Sequence, residues 1–301
     1  MSGRDPRAYA ALVALALVWG CNWVVLKVAT VDATPFALTA LRTVLGALAL
    51  FALLAVTRRS FRSPPIVPTA ILGVLNTAGF FIFQTLAVAS GGAGKSAILA
   101  YTYPFWIALL AWPLLGDRVS RTTLAGLVLA AVGLGFILAP IDVAHGLASK
   151  FFALMTAVDW AFASIYAKRM RAKYHVDLLS LTAWQTLYGA IPLTIVALLV
   201  PHQSVHLTAS FSWAIAYIAA LGTAGGLLLW LYALHRLQAG AAALASLLTP
   251  VVTVLIAWLV LREQPSPAEL TGIVLILSAL SIDALPHVGR VGGAGAPKSA
   301  R

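Results

Sequence analysis

Two charged side chains lie in the middle of long apolar segments of this 301-residue chain, where a charge is costly. Asp159 lies within residues 151–168, and Arg42 lies within residues 35–56. Ionisable groups in such surroundings usually form a pair or serve a function. Asp159 is a candidate proton-coupling carboxylate, and the alternative is a hydrogen-bonded residue that fixes helix packing. Arg42 could bind a ligand carboxylate, although helix packing or a buried ion pair is the interpretation that we favour.

Uncharged polar and aromatic side chains in similar positions could line a binding cavity. The amides can hydrogen-bond to both ends of a zwitterion, or they can join helices; they are Asn22, Asn76, Gln84 and Gln185. Aromatic residues in mid-segment suggest a cavity wall, with core packing or lipid contact as the alternative; they are Phe80, Phe83, Tyr101, Tyr103, Trp160, Trp184, Tyr188 and Trp230. Such a wall would suit flat, amphipathic or cationic organic molecules through stacking and cation–π contacts.

The composition indicates what kind of segments hold these residues. Hydrophobic residues make up 61% of the chain and charged residues 10%, with a mean hydropathy of +0.95. Soluble domains have about 45–50% apolar and about 25% charged residues, so a soluble enzyme is excluded. Disorder requires low hydrophobicity, and a disulfide scaffold requires more than the single cysteine present. The chain therefore belongs in a lipid bilayer.

Ten apolar runs are long enough to cross a membrane, since a spanning helix needs about 20 mainly apolar residues. The runs are 9–28, 35–56, 66–89, 94–115, 122–139, 151–168, 178–200, 211–234, 239–261 and 268–285. They are continuous, whereas strands of a membrane barrel alternate between apolar and polar residues. The sequence therefore predicts an all-α integral membrane protein with ten transmembrane helices and short loops.

The positive charges predict the orientation of these helices. With the N-terminus inside, the inner segments hold fifteen of the 20 Lys and Arg residues, the outer segments hold four, and Arg42 lies within a span. Cytoplasmic loops are rich in Lys and Arg, so both termini are predicted to be cytoplasmic. The formal net charge of +11 is then an orientation signal. It faces anionic lipid and does not indicate a nucleic-acid partner.

An internal repeat relates the two halves of the chain. A shift of 146 residues aligns 77–126 with 223–272 without a gap, matching the Thr-Ala-Gly triplet at 77–79 with that at 223–225. The repeats are predicted to span 1–140 and 150–286, followed by a flexible cytoplasmic tail at 287–301. Because each repeat has five spans, an odd number, the second must lie upside down relative to the first. Inverted repeats are typical of alternating-access transporters with a site near the membrane midplane.

Four residues at corresponding positions of the two repeats are predicted hinges. Pro104 and Pro250 match one another, as do Gly79 and Gly225. Proline removes a helical hydrogen bond and glycine weakens a helix, so each interrupts a spanning segment. Interruptions at equivalent places in two halves indicate where a transport site lies.

Several motifs in this framework resemble a known family. They are the Trp-Gly-x-Asn-Trp stretch at 19–23, Leu41-Arg42, the prolines Pro104 and Pro250, and the acidic residues Asp117 and Glu263. Together with the repeat, they resemble the drug/metabolite transporter superfamily, EamA type, over about residues 9–285. The resemblance implies a ten-helix secondary transporter of the bacterial inner membrane that exports amino acids or other small metabolites. The many aromatic residues make the chain similar to aromatic amino acid exporters.

Two other functions compete with metabolite export. A broad exporter of drugs or lipophilic cations is the main alternative, and an integral-membrane lipid enzyme would need a catalytic cluster that the scattered histidines do not supply. No metal or cofactor site is predicted: His202 and His206 have no third ligand nearby, and residues 89–96 resemble a phosphate-binding loop without its preceding strand. The expected partners are a small-molecule substrate and the lipid bilayer, and both monomer and homodimer remain open.

Overall fold

A computed structural model describes residues 6–115, 121–138, 146–202, 204–236 and 248–289. Over these ranges the chain is helical and forms no β-strand, apart from one isolated bridge between Ala33 and Val205. Helices satisfy every backbone N–H and C=O within one segment, which a chain this apolar requires in lipid. The prediction of an all-helical fold is confirmed for this part of the chain.

The first half contains seven α-helices in the described ranges and one π-helical segment, π1. Their bounds are α1 Pro6–Ala29, α2 Pro35–Val56, α3 Ile66–Leu72, π1 Gly73–Gly79, α4 Phe80–Ala89, α5 Ala93–Ala100, α6 Tyr103–Leu115 and α7 Arg121–Leu138.

The second half repeats this order as far as it is described, with a second π-helical segment, π2. Its elements are α8 Leu147–Lys173, α9 Leu178–Leu199, α10 Ala209–Tyr217, π2 Ile218–Gly225, α11 Gly226–Arg236, α12 Leu248–Leu261 and α13 Pro267–Gly289.

Five helices of the described chain are long and apolar enough to cross a membrane. They are Arg7–Ala29, Pro35–Val56, Ile66–Ala89, Leu178–Leu199 and Ala209–Ala233. Three further apolar helices are shorter, at Leu124–Phe136, Leu248–Leu261 and Pro267–Ala279. The third and fifth of the long helices each contain a π-helical segment and continue without a break on both sides of it.

Local sequence explains where several helices begin. Pro35 opens α2, where its missing N–H is not needed. Asp177 precedes α9 and accepts a hydrogen bond from the Ser180 N–H at 3.0 Å. Thr208 caps α10 in the same way, accepting from the Phe211 N–H at 3.0 Å. Such caps satisfy backbone groups that a helix end leaves unpaired.

Contacts between the two halves come in exchanged pairs. The helix α1 packs on α10, π2 and α11, while α8 packs on α3, π1 and α4. Likewise α2 packs on π2, and α9 packs on π1. Two further pairs join equivalent elements directly, namely α2 with α9 and α7 with α13. These contacts of the first half with the second thus have counterparts in which the halves change places.

The π-helical segments are held by matched contacts between glycine and threonine. A Cβ atom on Gly189 of α9 would lie 2.5 Å from the Thr77 Cβ in π1. A Cβ atom on Gly46 of α2 would lie 3.3 Å from the Thr223 Cγ2 in π2. Thr77 and Thr223 are equivalent in the repeat, so the absence of a side chain on each glycine lets a helix approach one π-helical segment closely.

Candidate functional site

Asp159 lies on α8 and faces the end of π1. A Cβ atom on Gly79 would lie 2.5 Å from the Asp159 Oδ1, so the carboxylate occupies the space beside this glycine. The Asp159 Oδ2 is buried and has no hydrogen-bond partner among the described residues. An unsatisfied buried oxygen is rare in folded proteins and calls for an explanation.

Asn22 occupies a comparable place on α1, against π2. A Cβ atom on Gly222 would lie 2.5 Å from the Asn22 Oδ1. That oxygen is also buried without a partner, and within the described ranges it shares this state with the Asp159 Oδ2 alone. The first helix of each half therefore presents an unpartnered oxygen to the π-helical segment of the other half.

The π-helical segments themselves are equivalent features of the two repeats. Gly79 ends π1, and Gly225, 146 residues later, ends π2. A π-helix bonds residue i to i+5, and single π turns occur frequently at functional sites. The Trp19 Nε1 donates a hydrogen bond of 3.1 Å to the Gly222 carbonyl oxygen in π2. The sequence predicted interruptions at these glycines but gave no sign of π geometry.

Arg42 is buried and held by its neighbours. Its side chain is 4% exposed, and its Nη1 donates to the Gln84 Oε1 at 2.9 Å. The guanidinium carbon lies 4.4 Å from the centre of the Phe81 ring, a cation–π distance. Ion pairs in the described chain include Arg59–Asp177 and Lys95–Glu269, and none joins Arg42 to Asp159. Arg42 is thus engaged by Gln84 and Phe81, and its role in packing stays a prediction.

Five aromatic rings form a continuous series beside Asp159, which we call the central aromatic chain: Phe81, Phe80, Trp160, Tyr103 and Tyr101. Successive ring centres are 5.4, 4.6, 5.4 and 6.0 Å apart. The series begins under the Arg42 guanidinium and passes through Trp160, the neighbour of Asp159 in α8. It brings together Phe80, Tyr101, Tyr103 and Trp160 of the predicted cavity wall.

The comparisons with known proteins bear on this arrangement. The profile of the EamA-like transporter family matches residues 6–139 and 148–282, one match for each half. The chain belongs to the EamA-like transporter family. Each EamA-like match contains one π-helical segment, and each supplies one unpartnered oxygen.

Relatives of this EamA-like chain cover nearly its whole length. A probable amino-acid metabolite efflux pump of Salmonella typhimurium is 30% identical over 283 residues, which are 89% of this chain and 92% of that protein. A transporter of Bacillus subtilis, YoaV, is 27% identical over 88% of this chain and 92% of its own length. A crystal structure with 20% identity has a TM-score of 0.67 and covers 96% of this chain, which supports the fold alone. The protein is therefore a membrane transporter, as the resemblance implied.

Two residues of the predicted cavity wall in the EamA-like chain, Trp184 and Tyr188, lie outside the central aromatic chain. Trp184 donates from its Nε1 to the Phe61 carbonyl oxygen at 3.1 Å and packs on Phe51 at 5.1 Å. The Tyr188 hydroxyl lies 3.1 Å from the Ser63 Oγ. Both side chains therefore contact the loop between α2 and α3, and they join a separate cluster. Their position in the middle of the apolar run 178–200 suggested the cavity wall, but their partners come from a distant loop that the local sequence cannot identify.

The remaining predicted residues do not join the central aromatic chain. Phe83 stacks on Phe152 with ring centres 6.4 Å apart, and Trp230 lies 6.2 Å from Trp19. Gln185 is buried in α9, where its carbonyl oxygen would meet a Cβ atom on residue 73 of π1. Asn76 lies within π1 and is half-buried.

The prolines open helices rather than kinking them. Pro104 is the second residue of α6, after a turn at 101–102 that ends α5. It therefore removes no bond from a helix interior, and the spanning segment is interrupted outright. Pro250 is likewise the third residue of α12, and the residues before Leu248, like Asp117, lie outside the described ranges.

Glu263 has a contact that the sequence did not predict. Its carboxylate accepts hydrogen bonds from the N–H groups of Ala93, at 2.8 Å, and Gly94, at 3.0 Å, at the start of α5. Lys95 in the same turn pairs with Glu269 at 2.6 Å. The amides and lysine of the loop that resembles a phosphate-binding motif are thus occupied by side chains of the chain itself. The only sign of this contact in the sequence was the acidic residue that soon follows the apolar run 239–261.

Proposed function

We propose that this EamA-like transporter exports small organic metabolites, foremost amino acids with aromatic or other apolar side chains, across the bacterial inner membrane by alternating access. The observation that carries the proposal is the matched pair of π-helical segments, each facing an unpartnered buried oxygen of the other half. Such a pair provides two related polar half-sites between the repeats, where alternating-access transporters bind their substrates.

An inverted arrangement of two five-helix repeats, with ten spanning helices in all, is part of this proposal. It is supported by loops that meet at each end of the bundle. Arg59, in the loop after α2, pairs with Asp177, in the loop before α9, at 2.5 Å. Asp32, in the loop after α1, accepts a hydrogen bond of 2.8 Å from Thr208, in the loop before α10. The loop after the second span of one half thus meets the loop after the first span of the other, as expected if the halves have opposite directions.

The proposed substrate site lies between Asp159 and the central aromatic chain. Ring faces suit an apolar or aromatic side chain, while Asp159 and Asn22 offer oxygens to its polar groups. Asn76 and Gln185 border π1, and we assign Arg42 and Gln84 to the support of this site. The name of the Salmonella relative, an amino-acid metabolite efflux pump, agrees with this substrate class.

Asp159 is the proposed coupling residue, because a buried carboxylate that lacks a partner can exchange a proton when its surroundings change. The elements that pack on α8 carry two titratable side chains, Tyr103 in α6, whose ring packs on Trp160, and Lys95 in α5, which is paired with Glu269. Gly79 and Gly225 are the proposed hinges, since each ends a π-helical segment that a small register change could convert to an α-helix.

Counterflow in proteoliposomes tests the proposal. Purified protein is reconstituted, the vesicles are loaded with one unlabelled amino acid of a panel, and uptake of the labelled form is followed with and without a pH gradient. We expect exchange of apolar amino acids and its acceleration by the gradient. The matched control is Asp177→Asn, which removes an exposed carboxylate and keeps a good helix cap.

Three outcomes would contradict parts of the proposal. If no amino acid of the panel is exchanged, the proposal that the protein transports amino acids is wrong. Inhibition of flux by lipophilic cations but not by amino acids would favour a drug exporter. Equal stimulation by the pH gradient in wild type and Asp159→Asn would remove the coupling role.

A further inference from the structure

We propose that the transporter recognises its solute through the ammonium group and that the carboxylate is dispensable, so that amines and carboxyl-blocked amino acids are carried as well. This inference deepens the function proposed above and rests on it. It names the chemical group that the site selects, and thereby widens the substrate class beyond free amino acids.

In the part of the chain that the structure describes, the buried side-chain atoms that lack a hydrogen-bond partner are both oxygens. Asp159 Oδ2 and Asn22 Oδ1 are both acceptors, and they are the buried side-chain atoms without partners in the described ranges. A buried acceptor without a donor is unfavourable, and the deficit is larger for a charged group. A ligand that satisfies these oxygens must bring hydrogen-bond donors, and an ammonium group brings three donors and a positive charge.

The second step concerns the cation that a carboxylate would need. Arg42 is 4% exposed, and Gln84 and Phe81 hold its guanidinium by a 2.9 Å hydrogen bond and a 4.4 Å ring contact. Lys27 donates to the Val88 carbonyl oxygen at 2.7 Å, at the far end of α4. Both cations of the first two helices are thus engaged by the protein itself, whereas Asp159 would repel a carboxylate.

The third step is the surface beside Asp159. Trp160 follows Asp159 in α8, and its ring lies between Phe80 and Tyr103, with centres 4.6 and 5.4 Å away. Aromatic faces carry partial negative charge and attract cations within about 6 Å of the ring centre. A carboxylate and several ring faces therefore favour the same positive group and disfavour an anionic one.

Analogue competition in proteoliposomes tests the inference on the wild-type protein. Counterflow of radiolabelled phenylalanine and leucine is measured with four competitors for each: the amide, the decarboxylated amine, the N-acetyl derivative and the deaminated acid. We expect the amide and the amine to compete about as well as the parent. The N-acetyl derivative and the deaminated acid should compete about 10- to 100-fold less well, the factor expected for loss of a hydrogen bond to a charged group.

A variant locates the effect at Asp159. The preference is the ratio of the competition by the parent amino acid to that by its N-acetyl derivative. In Asp159→Asn this ratio should fall towards one, whereas Asp177→Asn should keep the wild-type ratio. Competition is scored rather than uptake, because uncharged amines cross lipid unaided. The wild-type series decides the inference even where Asp159→Asn fails to fold.

The outcomes separate this inference from the function on which it rests. Effective competition by the N-acetyl derivative or the deaminated acid, or failure of the amide, would overturn ammonium recognition while leaving amino-acid export intact. If neither parent amino acid exchanges, the export function fails and the inference fails with it.

Discussion

The carboxylate of Asp159 lies against Gly79, in the space that a side chain on residue 79 would fill. This contact joins the first helix of the second half to the last residue of π1. Any change in the register of π1 therefore alters the surroundings of Asp159. The geometry thus ties the position of π1 to the surroundings of a buried acid, which is what the proposed coupling role of Asp159 requires.

We predict that Gly79→Ala lowers transport strongly while leaving the protein inserted and monodisperse. The new Cβ would lie 2.5 Å from the Asp159 Oδ1. Non-bonded carbon and oxygen atoms do not approach this closely, so the carboxylate or π1 must move. Overpacking of this kind costs about 1–3 kcal/mol. Initial rates of counterflow and the midpoint of thermal unfolding in detergent measure the two effects.

The matched control is Gly135→Ala in α7. A Cβ on Gly135 meets no atom within 4 Å, so this alanine should leave transport unchanged. It should raise stability by up to about 1 kcal/mol, because alanine favours a helix over glycine. Equal rates in Gly79→Ala and Gly135→Ala would contradict the link between Gly79 and Asp159.

We predict that Glu263→Ala destabilises the protein by about 0.5–2 kcal/mol, the usual cost of a lost helix cap. The Glu263 carboxylate is the acceptor for the N–H groups of Ala93 and Gly94, and α5 has only 8 residues. Glu263→Gln keeps one oxygen acceptor and should be intermediate. Thermal unfolding in detergent measures the order of the three proteins.

An acidic residue at the same end of the bundle provides the comparison for Glu263. The Asp32 carboxylate accepts one hydrogen bond, from the Thr208 hydroxyl, near exposed loops. Asp32→Ala should therefore change stability by less than about 0.5 kcal/mol, as surface substitutions usually do. A larger effect for Asp32→Ala than for Glu263→Ala would show that the cap on α5 is unimportant.

The sequence predicted those features of the fold that depend on local pattern. The run 35–56 coincides with α2, and the run 66–89 coincides with the helix that contains π1, because apolar content and flanking polar turns decide where such helices begin and end. The equivalence of Gly79 and Gly225 was also visible, since it rests on a gapless repeat.

Features that depend on contacts across the fold were not predicted. Gly73 and Thr77 of π1 fit against Gly189 of α9, and no local pattern encodes that contact. The cap on α5 joins residues 170 positions apart. For the same reason the aromatic residues of α9 were predicted to lie in the cavity wall, whereas their partners are in the loop between α2 and α3.

We predict that Arg42 and Gln84 stabilise the protein as a pair. Their buried hydrogen bond of 2.9 Å involves a charged donor, for which coupling of about 1–3 kcal/mol is expected. A double-mutant cycle with Arg42→Met and Gln84→Leu, followed by thermal unfolding in detergent, measures that coupling.

Transport by Gln84→Leu and by Arg42→Lys distinguishes a supporting role of Arg42 from substrate binding. If Arg42 only supports the site, Gln84→Leu and Arg42→Lys should change stability and maximal rate with little change in the concentration of amino acid needed for half-maximal flux. A large rise in that concentration for Arg42→Lys, with no effect on the carboxyl-blocked amide, would assign Arg42 to the substrate carboxylate instead.

We predict that residues 60 and 204 lie on opposite sides of the membrane, with residue 60 in the cytoplasm. Both serines are exposed, and each belongs to a loop where the two halves meet. The loop of Ser60 carries Arg58, Arg59 and Arg62, which the preference of cytoplasmic loops for positive charge places inside. The loop of Ser204 contacts Thr34 at the other end of the bundle.

Single cysteines test this prediction, because Cys21 is the only cysteine in the sequence. In a Cys21→Ser background, Ser204→Cys should react with an impermeant maleimide in intact spheroplasts, and Ser60→Cys should react only after lysis. Residue 60 follows the second span of the first half, and residue 204 follows the second span of the second half. Labelling of both from one side would therefore mean that the halves run in the same direction, which contradicts the inverted arrangement irrespective of which side is labelled.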